Sequence, residues 1–187
     1  MRSSFNLSFA GAAVITLALA AMLSTSAPQA AEPAASPATL QPIANLRQLM
    51  IGMFYPESNV VFAAQGDLAA FRQAEDAATS PNPLTSIYPG WQAVQDAAVS
   101  LEDAANLLLL SGRSCSNGEP VPVRRRDWAQ FVAVLRNGAQ AAYKAANDRS
   151  QDEMVTASYT LTQACDACHA AYRDKYAKQD SKRVCLP

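Results

Sequence analysis

Residues 150–172, SQDEMVTASYTLTQACDACHAAY, restrict the fold more than any other part of this chain. Ser150 and Glu153 form an S-x-x-E capping box, and Asp152 adds negative charge at the positive end of a helix. Met154, Ser158, Leu161, Cys165, Cys168 and Tyr172 then follow at steps of four, three, four, three and four. That spacing is the seam of a helix facing a core. Both cysteines of the C-x-x-C-H run therefore fall on the inward face. His169 lies one turn beyond Cys165, beside the seam.

The same period recurs upstream. Leu46, Leu49, Met50 and Met53 repeat at helical spacing after Pro42, a residue tolerated at a helix start. Pro56 should end or kink that helix, because its ring clashes with the preceding turn. The pattern resumes with Val61, Phe62, Leu68 and Phe71, so 42–78 reads as one kinked arm. Three prolines and a glycine make 80–90 a loop. A second helix over 91–110 carries Val94, Ala98, Leu101, Ala105 and Leu108 on one face, with Gly112 at the capping position. A third opens with Asp127 as N-cap and Gln130 three residues on, and its inner face runs from Trp128 and Phe131 to Ala146. Abundant alanine and sparse aromatics favour helices. With no strand, internal repeat or glycine-rich phosphate loop in view, the expected fold is all-α, an up-down-up-down antiparallel four-helix bundle.

The N-terminus has a different character. Arg2 precedes an apolar run at 9–23, FAGAAVITLALAAML, which is short for a membrane span. We read 1–30 as a signal peptide cut between 27 and 31, with an uncleaved anchor as the alternative. Residues 31–41, rich in Pro and Ala, form a flexible lead-in, and the domain occupies 42–187. The export signal places that domain in the periplasm. A formal net charge of −1 offers no basic stripe to nucleic acid. Arg124, Arg125 and Arg126 read as a solvated turn.

All four cysteines follow the leader, where an oxidising compartment permits disulfides. C-x-x-C-H places two thiols to reach the two vinyl groups of a haem, with an imidazole next in line for the iron. The expected cofactor is one covalently attached haem c, held by Cys165 and Cys168. A redox dithiol would sit on a βαβ framework, where a helix N-terminus lowers a thiol pKa. A zinc site needs four ligands and would have to recruit both distant cysteines. A disulfide between Cys165 and Cys168 would only cross adjacent helical turns. His169 is the single histidine, so it must be the axial ligand and no second imidazole can oppose it. For the same reason a Ser-His-Asp arrangement is excluded, and no catalytic residue is assigned.

Antiparallel order brings the end of the fourth helix level with the start of the first. His169 stands roughly 13 Å before a helix end expected near Lys178. Met50 and Met53 fall near that depth and share a face, and a methionine sulfur is a standard sixth ligand. We prefer Met50, with Met53 as the alternate. The same order places Cys115 and Cys185 at one end of the bundle, so they are expected to pair and tie the tail down.

These residues together resemble the class II c-type cytochromes, the cytochrome c′ group. The likeness rests on Cys165, Cys168, His169, Tyr172 and Arg173 as C-x-x-C-H-x-x-Y-R. An early Leu-Arg-Gln at 46–48 followed by methionines, and Trp128 opening the third helix, add to it. The resemblance implies a haem near one end of the bundle, with Arg173 beside the proximal face and Tyr172, Leu46 and Trp128 in the pocket. It implies either electron transfer with a periplasmic redox partner protein or, in a five-coordinate form, binding of a diatomic gas such as NO or CO. Pairing of two copies into a homodimer is compatible with it. The Pro56 break, the longer 79–90 loop and the Cys115/Cys185 pair depart from the family pattern, and they leave the distal side open.

Overall fold

A computed structural model describes residues 40–173 and Cys185. The expected leader at 1–30, nearly all of the 31–41 lead-in and the expected helix end near Lys178 lie outside the described residues. Among the described residues the chain is all-α, with no strand and a single isolated bridge between Ser114 and Pro120.

The first helical arm starts at Leu46, later than the expected Pro42, because Asn45 caps it. The Asn45 side chain accepts the Gln48 N–H at 2.9 Å, and the Gln48 side chain accepts the Asn45 N–H at 3.0 Å. That reciprocal pair satisfies two of the donors a helix start leaves open. Helix α1 (Leu46–Leu49) runs into a π-helical turn (Met50–Phe54) and then into α2 (Tyr55–Ala63) without a break. Pro56 therefore does not end the arm. It sits in the first turn of α2, where its missing N–H costs little, and the wider turn precedes it.

The arm stops at Ala63, well short of the expected 78. Gly66 is a poor helix residue, and the Asp67 side chain takes the Ala69 N–H at 3.0 Å. Short 3-10 turns at Leu68–Ala70 and Pro83–Thr85 occupy the connection, each burying one leucine, Leu68 and Leu84.

Helix α3 (Trp91–Leu107) buries Val94, Ala98, Leu101 and Ala105, as its periodicity requires. Helix α4 (Arg126–Asp148) begins one residue before the expected cap. Asp127 lies in its first turn, paired with Arg125 at 3.1 Å and accepting the Trp128 N–H at 3.1 Å. Arg149, in the left-handed region at φ 52°, closes α4. Ser150 then caps α5 (Gln151–Tyr172), its hydroxyl accepting the Glu153 N–H at 3.3 Å. The other half of the expected box is diverted: the Glu153 carboxylate accepts from Lys144 Nζ at 3.0 Å.

Helix α4 packs along both α3 and α5, while α2 packs on α3 and touches α5. The α4–α5 contact is close because Gly138 has no side chain. A Cβ there would stand 3.1 Å from the Leu161 Cα. Two polar side chains of α5 fasten the first arm. The fully buried Ser158 hydroxyl donates to the Val61 carbonyl at 3.5 Å. Gln151 donates to the Ala64 carbonyl at 3.0 Å and accepts the Leu68 N–H at 3.3 Å.

Cys115 and Cys185 are joined as a disulfide, with their Cα atoms 5.5 Å apart. The Cys185 N–H donates to the Tyr172 carbonyl at 2.7 Å, so the bridge fastens the tail to the end of α5.

Two stability outcomes follow from these contacts. Gly138→Val drives a branched side chain into the Leu161 backbone and should cost about 1–3 kcal/mol in urea unfolding, the range for overpacking. Replacing Cys115 and Cys185 together by alanine opens a crosslink spanning 70 residues. The chain-entropy relation puts that loss at about 4 kcal/mol, read as a lower denaturation midpoint.

Candidate functional site

The inner face of α5 changes character along its length. Met154, Ser158 and Leu161 are fully buried against the other helices. One and two turns later, Cys165 and Cys168 are only part-buried, because they face a cavity of about 500 Å³. This size is ordinary for a small-molecule or cofactor pocket. His169, Tyr172 and Arg173 also line it.

The first arm forms another wall with Leu46, Met50, Phe54 and Phe62. Trp128, Phe131 and Leu135 of α4, with Leu101 of α3 and Leu108 just beyond it, complete the cavity. Its lining is dominated by carbon. Charge is confined to a few residues, Arg47, Asp166 and Arg173, all exposed.

An aromatic cluster stiffens one end. Trp128 is buried and donates its indole N–H to the Leu108 carbonyl at 2.9 Å. Tyr172 meets it edge-on with ring centroids 5.0 Å apart, and Phe131 meets Tyr172 in the same way at 6.2 Å. The Arg125 guanidinium lies 5.9 Å over the Tyr172 ring, a cation–π arrangement.

Every pocket residue expected from the sequence is thus gathered here except Met53. The reason is local. Within an α-helix Met53 would follow Met50 on the inner face, but the π-turn holds one extra residue and brings Phe54 inward instead. Phe54 is 7% exposed and Met53 38%. The sequence reading also passed over Phe54, Phe62 and Arg47. The two phenylalanines continue a series, Leu46, Met50, Phe54, Ser58 and Phe62, at a strict spacing of four, which only a widened turn can keep on one face, and the sequence alone gives no sign of that turn.

Electrostatics separates the chemistries open to the thiols. Burial first, then the neighbouring Asp166, pushes the Cys165 thiol up to about 11, with Arg173 opposing. Burial, Cys165 and Asp127 likewise push Cys168 up to about 11. Reactive dithiols need the opposite, a thiol made acidic by positive surroundings. The two cysteines that a zinc site would have recruited are bonded to each other. Among the described residues no group of three or more His, Cys, Asp or Glu side chains could hold a metal ion.

The donor set fits a c-type haem. Two unbonded thiols and an imidazole line an apolar cavity, and Met50 lines it from another helical segment. A larger cleft of about 820 Å³ lies elsewhere, between the start of α3 and the α4–α5 turn. It contains no cysteine, histidine or methionine.

The chain has no significant match among protein-family models, curated proteins or solved structures.

The thiol environment makes a direct prediction. In protein produced without haem, alkylation of Cys165 and Cys168 by iodoacetamide should still be accelerating at pH 9, because the thiolate fraction keeps growing toward about 11. A rate that levels off near pH 7 would assign them to a redox dithiol.

Proposed function

We propose that this chain is an exported mono-haem c-type cytochrome that transfers single electrons in the periplasm, built as an up-down-up-down four-helix bundle. One observation carries the reading: both thiols of C-x-x-C-H and the only histidine line one apolar cavity that also receives Met50. The helix contacts support the bundle, since α4 is shared between α3 and α5 and only Arg149 and Ser150 separate α4 from α5. The likeness to the cytochrome c′ group rests on the same residues.

In this reading Cys165 and Cys168 would hold the haem through thioethers and His169 would supply a nitrogen to its iron. When bound, the haem supplies one-electron chemistry at its iron. The chain's part is to bind, orient and insulate. Leu46, Phe54, Trp128 and Phe131 line the cavity with carbon, which would disfavour the net positive charge of an oxidised haem and so raise its potential. The Met50 thioether, a soft neutral donor, would act in the same direction. Tyr172 is fixed by its ring contacts, and Arg173 closes the cavity beside the cysteine end of α5. A redox protein is the natural partner.

The elevated thiol pKa values weigh against a haem-free dithiol. A five-coordinate gas-binding protein differs only on the Met50 side of the cavity, and the presence of a methionine in that wall favours six ligands.

Expression with a c-type haem maturation system should give covalently attached haem that survives denaturation. Cys165→Ala with Cys168→Ala should abolish the attachment. The reduced protein should be low-spin and should not take up CO. A high-spin protein that binds CO or NO would replace electron transfer with gas binding, and a colourless protein with two free thiols would overturn both.

A further inference from the structure

The cavity wall made by the first arm is too regular for an α-helix. Leu46, Met50, Phe54, Ser58 and Phe62 all line the cavity, each four residues after the last. At 3.6 residues per turn a spacing of four drifts about 40° per step, so four steps carry a side chain roughly 160° around the helix. Phe62 should then face nearly away from Leu46. One extra residue in the helix removes about 100° of that drift.

The π-turn at Met50–Phe54 is that extra residue, and its ladder records the change: the Tyr55 N–H donates to the Met50 carbonyl, five residues back. Such turns are uncommon and have an identifiable local cause. Here the cause is adjacent. Pro56 has no N–H for the Gly52 carbonyl, and its ring would press on that carbonyl in a regular helix. Gly52 has open space around it, so close packing does not explain the widened turn.

We propose that the π-turn, imposed by Pro56, is a register device that turns Met53 out of the cavity shared with His169 and leaves Met50 as the methionine in its wall. Two methionines three residues apart are otherwise equivalent candidates. The turn separates them: Met50 packs against the core, whereas Met53 is 38% exposed. In its consequence for the iron the inference rests on the haem reading. In its consequence for helix register it does not. Pro56 is a positioning residue, acting through the backbone of 50–55.

Two experiments keep the parts apart. Haem-free protein carrying 13C-methyl methionine should show NOEs from the Met50 methyl to core side chains and none from Met53. In Pro56→Ala, or on deletion of Gly52, Met53 should gain core NOEs while Met50 keeps its own. Unchanged NOEs in a variant that keeps its helix content would overturn the device.

In haem-loaded protein, Met50→Leu should convert a low-spin, CO-refusing spectrum into one that takes up CO, and Met53→Leu should leave the spectrum as it was. In the Pro56→Ala background both methionines reach the cavity, so CO uptake should require replacing Met50 and Met53 together. Loss of the low-spin spectrum on Met53→Leu alone would overturn the assignment, even if Pro56→Ala proved unable to fold. Failure of any haem to attach would remove the haem reading and leave the NMR result standing.

Discussion

The close approach of α4 and α5 at Gly138 sets the spacing on which the cavity depends. With no Cβ in the way, the backbone at Leu161 comes into contact, and the seam of α5 is buried down to that point. Beyond it the rings of Trp128 and Phe131 on α4 meet Tyr172 of α5, and the cavity they help line lies there. Cys165 and Cys168 continue the buried period into that opening. They are inward-facing yet reachable by a ligand, a combination that neither a sealed core nor a surface loop provides.

The thiols' chemistry follows from the same placement. An apolar wall penalises the thiolate, so the pair is held protonated far above neutral pH. That makes it a poor exchange catalyst. A covalent link to an apolar ring would replace the thiols by neutral sulfurs suited to such surroundings. The histidine beside them stands on the same helix, where geometry is more firmly held than on a loop. The disulfide at Cys115 and Cys185 fastens the end of that helix through the Cys185–Tyr172 backbone contact.

Much of this was legible in the residues. Helix existence, the inward faces of α3 and α5, the Ser150 cap and the pairing of Cys115 with Cys185 all follow from local pattern or from chain order, and the structure contains each of them. The errors lie where two local rules compete. Pro42 yielded to an Asn45–Gln48 box, Asp127 yielded the cap to Arg125, and the apolar period after Ala63 lost to Gly66 and Asp67. At Pro56, where an end or a kink was expected, the helix does not end but absorbs the proline by widening one turn.

The linear sequence by itself determined which residues can do chemistry here: two thiols and one imidazole at fixed helical spacing, with no second histidine anywhere. Such information is local, because a period of 3.6 residues assigns a face without reference to any partner. Tertiary structure alone decided what that face looks into, and which methionine shares the space. A one-residue change of helix register turns a side chain by about 100°, a rotation invisible in composition or spacing until the packing of the whole arm is known.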